Sequence, residues 1–261
     1  MQWDPKQYLG YADLRLRPGM DLMAAIPLAR ADLIYDLGCG AGQLTQLLQS
    51  RWPLARVTGL DSSPDMLAKA RTLSGAGQVE WREADIADFE PAQAPDLIFS
   101  NAVLHWLDDH GNLFAKLFDM LAPGGVLAIQ MPRNHGAPSH TTMIEAAASG
   151  PWKDTLQPLL RPDPVSPPDV YYDILSQQAA DLSIWETEYL QVLHGPDPVK
   201  EWTKGTALKP LLDALEGEEQ AAFEADYTAR VRAAYPRRDD GATLFPFRRL
   251  FVLARSAGRR E

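Results

Sequence analysis

Between residues 32 and 132 the apolar and polar positions change period repeatedly, and each change marks an element. The runs "DLIYDLG", "RVTGLDSS", "VEWREAD", "PDLIFSN" and "GVLAIQMP" are short, mostly apolar and bounded by turn residues, so they predict strands one to five. Between them, apolar residues recur at three and four in "QLTQLLQSRWP", "PDMLAKARTL" and "NLFAKLFDMLAPGG", which predict helices. Pro64 suits a helix's first turn, and Pro123-Gly124-Gly125 gives the third helix its stop. Strands alternating with helices in this way predict a parallel sheet.

Beyond residue 132 the pattern loosens. "RNHGAPSHTTMIEAAASGPWKDTLQPLLRPDPVSPPD" mixes short helical pieces with prolines, "VYYDILSQQAADL" fits a helix, and "SIWETEYLQVL" alternates as a sixth strand does. "VKEWTKGTALKPLLDAL" and "EEQAAFEADYTARVRAAY" are helical again, and "FRRLFVLARS" is the last strand. The expectation is an α/β fold with a doubly wound, mostly parallel, seven-stranded sheet in one domain over residues 1–261. Helical insertions at about 134–168 and 196–240 would form a lid.

Composition narrows this picture. At 261 residues and 46% hydrophobic, the chain can bury a full core. No apolar run approaches the ~20 residues that cross a bilayer, so no membrane is expected as a partner. The start, "MQWDPKQYLG", lacks the basic and apolar regions of a signal peptide. With Cys39 as the single cysteine, this predicts a cytoplasmic chain without disulfides or a multi-cysteine metal site. A net charge of −10 disfavours nucleic acid. No obligate protein partner is inferred.

The loop "DLGCGAGQL" carries the candidate chemistry. A nucleoside-triphosphate loop needs a lysine and a hydroxyl after its last glycine, whereas Gly42 is followed by Gln43 and Leu44. A dinucleotide fingerprint needs a glycine at its sixth position, where Gln43 stands, and Asp36 would repel a pyrophosphate. A cation such as S-adenosylmethionine, with its sulfonium and ammonium, reverses that objection. Asp61 ends strand two, where an acid can bond both hydroxyls of a ribose. Asp85, with Ile86 beside it, follows strand three, where a carboxylate can accept from the amine of adenine. The three acids would stand on one rim, at the carboxyl ends of neighbouring strands. The competing reading for each is a helix cap, and for the site as a whole a nicotinamide-dependent oxidoreductase.

"DLGCGAG", "GLDSSPDML", "EADI" and "LIFSNAVLHWL" together resemble the successive motifs of the class I S-adenosylmethionine-dependent methyltransferases. The resemblance implies a Rossmann-like fold and methyl transfer that leaves S-adenosylhomocysteine. It gives Asp36, Gly38 and Gly40 the methionine portion of the cofactor, Asp61, Ser62 and Met66 the adenosine, and Asp85 and Ile86 the adenine. Asn101 and Ala102 would lie near the sulfonium, with His105 and Trp106 just beyond. Arg17 would come from the N-terminal segment to pair a carboxylate, with Tyr8 nearby. A closer, end-to-end resemblance, including "VLAIQMPRN", "YYDILS" and "FPFRRLFVLARS", is to members that esterify a small tricarboxylic acid.

A carboxylate is ionised near neutral pH and is its own nucleophile, so no general base is expected; Asn101 and His105 would only position. Binding such an acid calls for arginine forks. The candidates are Arg133, Arg248 and Arg249, then Lys204, with Tyr171 and Tyr172 as hydroxyl donors. His135 and His140 lie five apart among glycine and proline without an acid partner, so no metal is expected there.

Overall fold

The computed structural model describes residues 14–73 and 78–258. The chain divides into two compact units. The first comprises Met1–Met131, Ser166–Glu186 and Leu250–Glu261, and the second Pro132–Val165 and Thr187–Arg249.

In the first unit, helix α1 (Arg17–Ala25) precedes β1 (Leu33–Leu37), α2 (Gln43–Arg51), β2 (Arg56–Asp61), α3 (Pro64–Arg71), β3 (Val79–Glu83) and β4 (Leu97–Asn101). A short 3-10 turn, Leu104–Trp106, then leads to α4 (His110–Asp119) and β5 (Val126–Pro132). Helix α7 (Pro168–Leu175) and the outer parts of β6 (Asp181–Leu193) and β7 (Thr243–Arg255) complete the unit. The strand order is β3-β2-β1-β4-β5-β7-β6. Strands β1 to β5 run parallel, with Asp36 opposite Gly59 on one side and Phe99 on the other. Between β1 and β4 the order reverses direction, the point at which open α/β sheets bind ligands. Every residue of β1 is buried, as a central parallel strand covered on both faces requires.

Local sequence explains the helices on the sheet. Ser63 caps α3 by accepting the Met66 amide at 3.3 Å, with Pro64 in the first turn. Helix α4 buries His110, Leu113, Phe114, Leu117 and Phe118, a single stripe at three and four. That stripe meets α7 through Tyr171, whose ring lies 4.8 Å from Phe114. Helix α1 has only nine residues, with Pro18 and Gly19 in its first turn, and carries too short a repeat for its sequence pattern to predict it.

The second unit holds α5 (Pro138–Ser149), α6 (Lys153–Leu156), α8 (Pro198–Lys204), α9 (Lys209–Asp213) and α10 (Gly217–Ala234), with the remaining parts of β6 and β7. It has its own core, in which Trp152 meets Phe223 edge to face and Leu156, Leu208, Tyr227 and Phe245 are fully buried. Two expected elements come out differently. "VKEWTKGTALKPLLDAL" is two helices, because Gly205 ends the first and Pro210 opens the second. "VYYDILSQQAADL" is helical only to Leu175, after which the chain turns into β6.

Candidate functional site

The loop after β1 is held by its own amides. Gly38 and Cys39 both donate to the Leu60 carbonyl at 2.8 Å, and Gly40 donates to Asp61 Oδ2 at 2.8 Å. Gly38, Gly40 and Gly42 all have positive φ, a region in which a Cβ is strained. A Cβ on Gly38 would also stand 2.3 Å from Val103, whereas around Gly40 it would meet nothing within 4 Å. The loop is therefore packed on one side and open at Gly40. With these three amides engaged, it offers little to a phosphate, which binds through backbone N–H groups.

Asp36 is 2% exposed and accepts from the Thr45 hydroxyl at 2.6 Å. Burial pushes its carboxyl up to about 7, against the Thr45 bond, and the charge of Asp61 adds to the rise. A cation at this spot relieves both repulsion and desolvation. Asp61 is fixed from two sides, since Ser63 donates to Oδ1 at 2.9 Å while Gly40 holds Oδ2. It is not the cap of α3; Ser63 is. Each oxygen keeps a lone pair for a sugar hydroxyl. Asp85 is exposed and closes a local turn by accepting the Ala87 amide at 2.9 Å, with Ile86 buried beneath it. Ser62 and Met66 are exposed.

At the end of β4, Ala102 takes a left-handed φ of 58°, and its amide donates to the Gln130 carbonyl on β5 at 2.9 Å. A non-glycine residue in that region marks stored strain, and such strain collects at binding sites. Asn101 beside it has a buried Oδ1 with no hydrogen-bond partner among the described residues. Gly19 of α1 approaches closely: a Cβ there would stand 3.1 Å from that oxygen. His105 is buried in the 3-10 turn with its ring 4.8 Å from Trp106, as a packed histidine. Arg17 is exposed, 3.9 Å from Asp21. Tyr8 lies outside the described residues. Sequence reasoning missed Trp81, whose ring covers Gly42 and Gly59. Its signal was the pairing of an aromatic residue on β3 with a glycine on β2, visible only once the register is known.

Among the acid-binding candidates, Arg133 and Arg248 are brought side by side, the Arg133 amide donating to the Arg248 carbonyl at 3.0 Å. Arg249 is nearly buried, with its guanidinium 4.4 Å from the Phe247 ring centre. Lys204 donates to Glu224 at 2.7 Å and sits in a lysine–glutamate cluster with Lys200. Tyr172 is exposed. Tyr171 is not a surface donor: it is fully buried, accepts the Ser166 amide at 3.1 Å and bonds His110 Nδ1 at 2.7 Å. His110 Nε2 faces the Leu104 carbonyl, which can only accept, so the proton is on Nε2 and Tyr171 donates to Nδ1. The hydroxyl is used up in the core. Among the described residues no group of three or more His, Cys, Asp or Glu could hold a metal, and no helix is long and apolar enough to cross a membrane.

A family model described as "Methyltransferase domain" matches residues 34–125. The chain is 48% identical over 252 residues to the trans-aconitate 2-methyltransferase of Azoarcus sp. strain BH72, covering 97% of this chain and 98% of that one. It is 47% identical to the protein of that name from Streptomyces avermitilis, with 97% and 96% covered. With the one from Agrobacterium fabrum the identity is 44%, with 97% and 99% covered. In fold it is similar to a putative methyltransferase from Bacillus halodurans, with TM-score 0.60, 14% identity and 92% and 99% of the chains covered. It is also similar to Haemonchus contortus phosphoethanolamine N-methyltransferase 2 in complex with S-adenosyl-L-methionine, with TM-score 0.56, 18% identity and 93% and 53% covered.

Proposed function

We propose, because this chain belongs to the trans-aconitate 2-methyltransferase family, that it transfers a methyl group from S-adenosylmethionine to one carboxylate of trans-aconitate. The products are the monomethyl ester and S-adenosylhomocysteine. The observation that carries the reading is likeness over nearly the whole length of three such enzymes, joined to a β1–β2 rim built for a cation.

The residues fit the cofactor. The open face at Gly40, the raised carboxyl of Asp36 and the enclosed oxygen of Asn101 are an acceptor-rich cradle, which suits ammonium and sulfonium. Asp36, Gly38 and Gly40 hold the methionine portion, with Arg17 for its carboxylate. Asp61, Ser62 and Met66 take the ribose and adenosine, Asp85 and Ile86 the adenine, and Asn101 and Ala102 the neighbourhood of the sulfonium. When bound, S-adenosylmethionine supplies an already activated methyl group. The chain's own work is then to bind the acid ionised, strip its water and orient one carboxylate, which is proximity rather than acid–base chemistry. His105 stays a packed histidine in this reading.

Arg133, Arg248 and Arg249 are the residues for the acid's charges, because a guanidinium fork bonds two carboxylate oxygens together. Lys204 is neutralised by Glu224, and the Tyr171 hydroxyl is occupied, so both are set aside. The segments at about 134–168 and 196–240 are the substrate cap in this reading. The single buried cysteine and the net charge of −10 support a cytoplasmic enzyme acting on small molecules rather than on nucleic acid or membrane.

The test is methyl transfer from labelled S-adenosylmethionine to a panel of di- and tricarboxylic acids. A base-labile methyl ester on trans-aconitate is the expected result. Cofactor binding with no ester on any acid overturns the substrate reading.

A further inference from the structure

In the first unit, one residue of β5 departs from the chemistry of its strand. Val126, Leu127, Ala128, Ile129 and Met131 are apolar and fully buried, as a parallel strand covered on both faces requires. Gln130 stands among them and is fully buried too. Both ends of its amide, Oε1 and Nε2, lack a hydrogen-bond partner among the described residues. A polar group loses its water when it is buried, so two unmade bonds on one side chain oppose folding. Buried polar groups are paired as a rule, and an amide left unpaired at both ends is what a ligand-binding position leaves behind.

The strand register places that amide. Gln130 pairs with Asn101 on β4, so the two side chains leave the sheet on one face. Asp36 of β1 pairs with Phe99, two residues before Asn101, which puts its carboxylate on that same face. Three polar side chains from β1, β4 and β5 therefore share the face that flanks the switch point of the sheet. Asp36 has the Thr45 hydroxyl as a partner, whereas Asn101 Oδ1 is buried without one among the described residues.

A purely structural role would join these neighbours, with Gln130 Nε2 donating to Asn101 Oδ1. That bond is not made, and both atoms stay unpaired among the described residues. The main chain beneath them is fixed all the same, because the left-handed Ala102 donates its amide to the Gln130 carbonyl at 2.9 Å. Asn101, Ala102 and Val103 are only partly buried, so the rim beside the two amides is not sealed. Glutamine is among the side chains with the most rotamer freedom, which lets its amide turn to that rim.

We propose that Gln130 is a further residue of the methyl-transfer site, the one that sets the two reactants against each other. This rests on the methyltransferase reading above. Its Oε1, with Asn101 Oδ1, faces the positive charge of the sulfonium. Its Nε2 donates to one oxygen of the acceptor carboxylate and leaves the other oxygen to attack. One planar amide thus offers an acceptor to the cation and a donor to the anion, and orients both. The attacking oxygen forms the bond to the methyl carbon, and the electron pair of the breaking carbon–sulfur bond stays on sulfur. No proton moves, so a neutral amide suits the position better than an acid or a base. An apolar residue here would give a more stable fold and a slower enzyme.

The test uses the full-length protein with S-adenosylmethionine, S-adenosylhomocysteine, which lacks the sulfonium charge, and trans-aconitate. Gln130→Met keeps the length of the side chain and removes both polar ends. It should raise the melting temperature of the cofactor-free protein by about 2–4 °C, because no unpaired amide is then buried. It should lower kcat/KM for trans-aconitate about 10- to 100-fold, the worth of one hydrogen bond to a charged group. The Kd of S-adenosylmethionine should weaken about 3- to 10-fold and that of S-adenosylhomocysteine by less than about twofold. Gln130→Glu keeps an oxygen for the sulfonium and loses the donor at neutral pH. Its Kd for S-adenosylmethionine should stay within about threefold of the wild type, while kcat/KM falls and recovers towards acid pH as protonation restores a donor. An unchanged kcat/KM in either variant at neutral pH overturns the proposal and leaves the methyltransferase reading standing. So does a lower melting temperature in Gln130→Met, down to failure to fold, which would make the amide a structural partner. Equal weakening of both cofactor forms would put the contact away from the sulfonium and overturns it as well. If the wild-type protein methylates no acid at all, the functional reading falls and this assignment falls with it.

Discussion

Gly40 and Asp61, on consecutive turns of the β–α–β unit, are joined by a 2.8 Å bond from the glycine amide to the Asp61 carboxylate. The acid at the tip of β2 is thus part of the loop after β1, and one residue organises both halves of the proposed cofactor cradle.

Asp61→Asn should weaken cofactor binding more than it weakens the fold. Asparagine has one acceptor oxygen for two amides, Gly40 and Ser63, so an NH2 group must face an N–H. The expected loss is about 10- to 100-fold in the Kd of S-adenosylmethionine by calorimetry. An unchanged Kd would remove Asp61 from the site.

Gly38 and Gly40 have similar backbone strain but different surroundings. Alanine at Gly40 meets nothing within 4 Å and should lower the melting temperature by about 2–4 °C, the strain of a left-handed residue alone. Alanine at Gly38 would drive into Val103 at 2.3 Å and should lower it by more than twice as much. Equal melting shifts for the two variants would show that Val103 gives way.

Asp36 links stability and affinity to pH. Its carboxyl is raised from 3.8 to about 7 in the folded chain, so folding favours its protonated form. Stability from this group is complete below about pH 4, drains away as pH rises towards 7, and is flat beyond. Asp36→Asn should then stabilise the cofactor-free protein above pH 7 and change little below pH 4. A bound cation lowers the carboxyl again, so cofactor binding should release close to one proton at pH 6. Its affinity should rise by up to about tenfold per pH unit between these limits. Calorimetry in two buffers of different ionisation heat measures that proton.

Tyr171→Phe separates a structural hydroxyl from a substrate-binding one. It strands the buried His110 and the Ser166 amide and should reduce unfolding free energy by about 1–3 kcal/mol in urea. The KM for the acid should stay the same; a rise would return Tyr171 to the substrate residues.

Single alanine variants of Arg133, Arg248 and Arg249 should include at least one whose KM for trans-aconitate rises about 10- to 100-fold with the cofactor Kd unchanged. Full activity in all three would exclude these arginines as the acid's partners.

The alternation of strand and helix, the sheet class and the three acids at the ends of β1, β2 and β3 were legible in the sequence, because each depends on periodicity within a few residues and on one topological rule. So was the exclusion of a phosphate loop, which turns on the identity of residues 42–44. Folding alone decided which way each polar group is used. Asp36 lies under α2 against Thr45, the loop amides are taken by Leu60 and Asp61, and Tyr171 is claimed by His110. Helix α1 gains its meaning from packing Gly19 near Asn101. Such partners lie tens of residues apart, where no local pattern connects them. A residue's chemistry depends on what is left unpaired after those contacts form, and that is a property of the assembled chain.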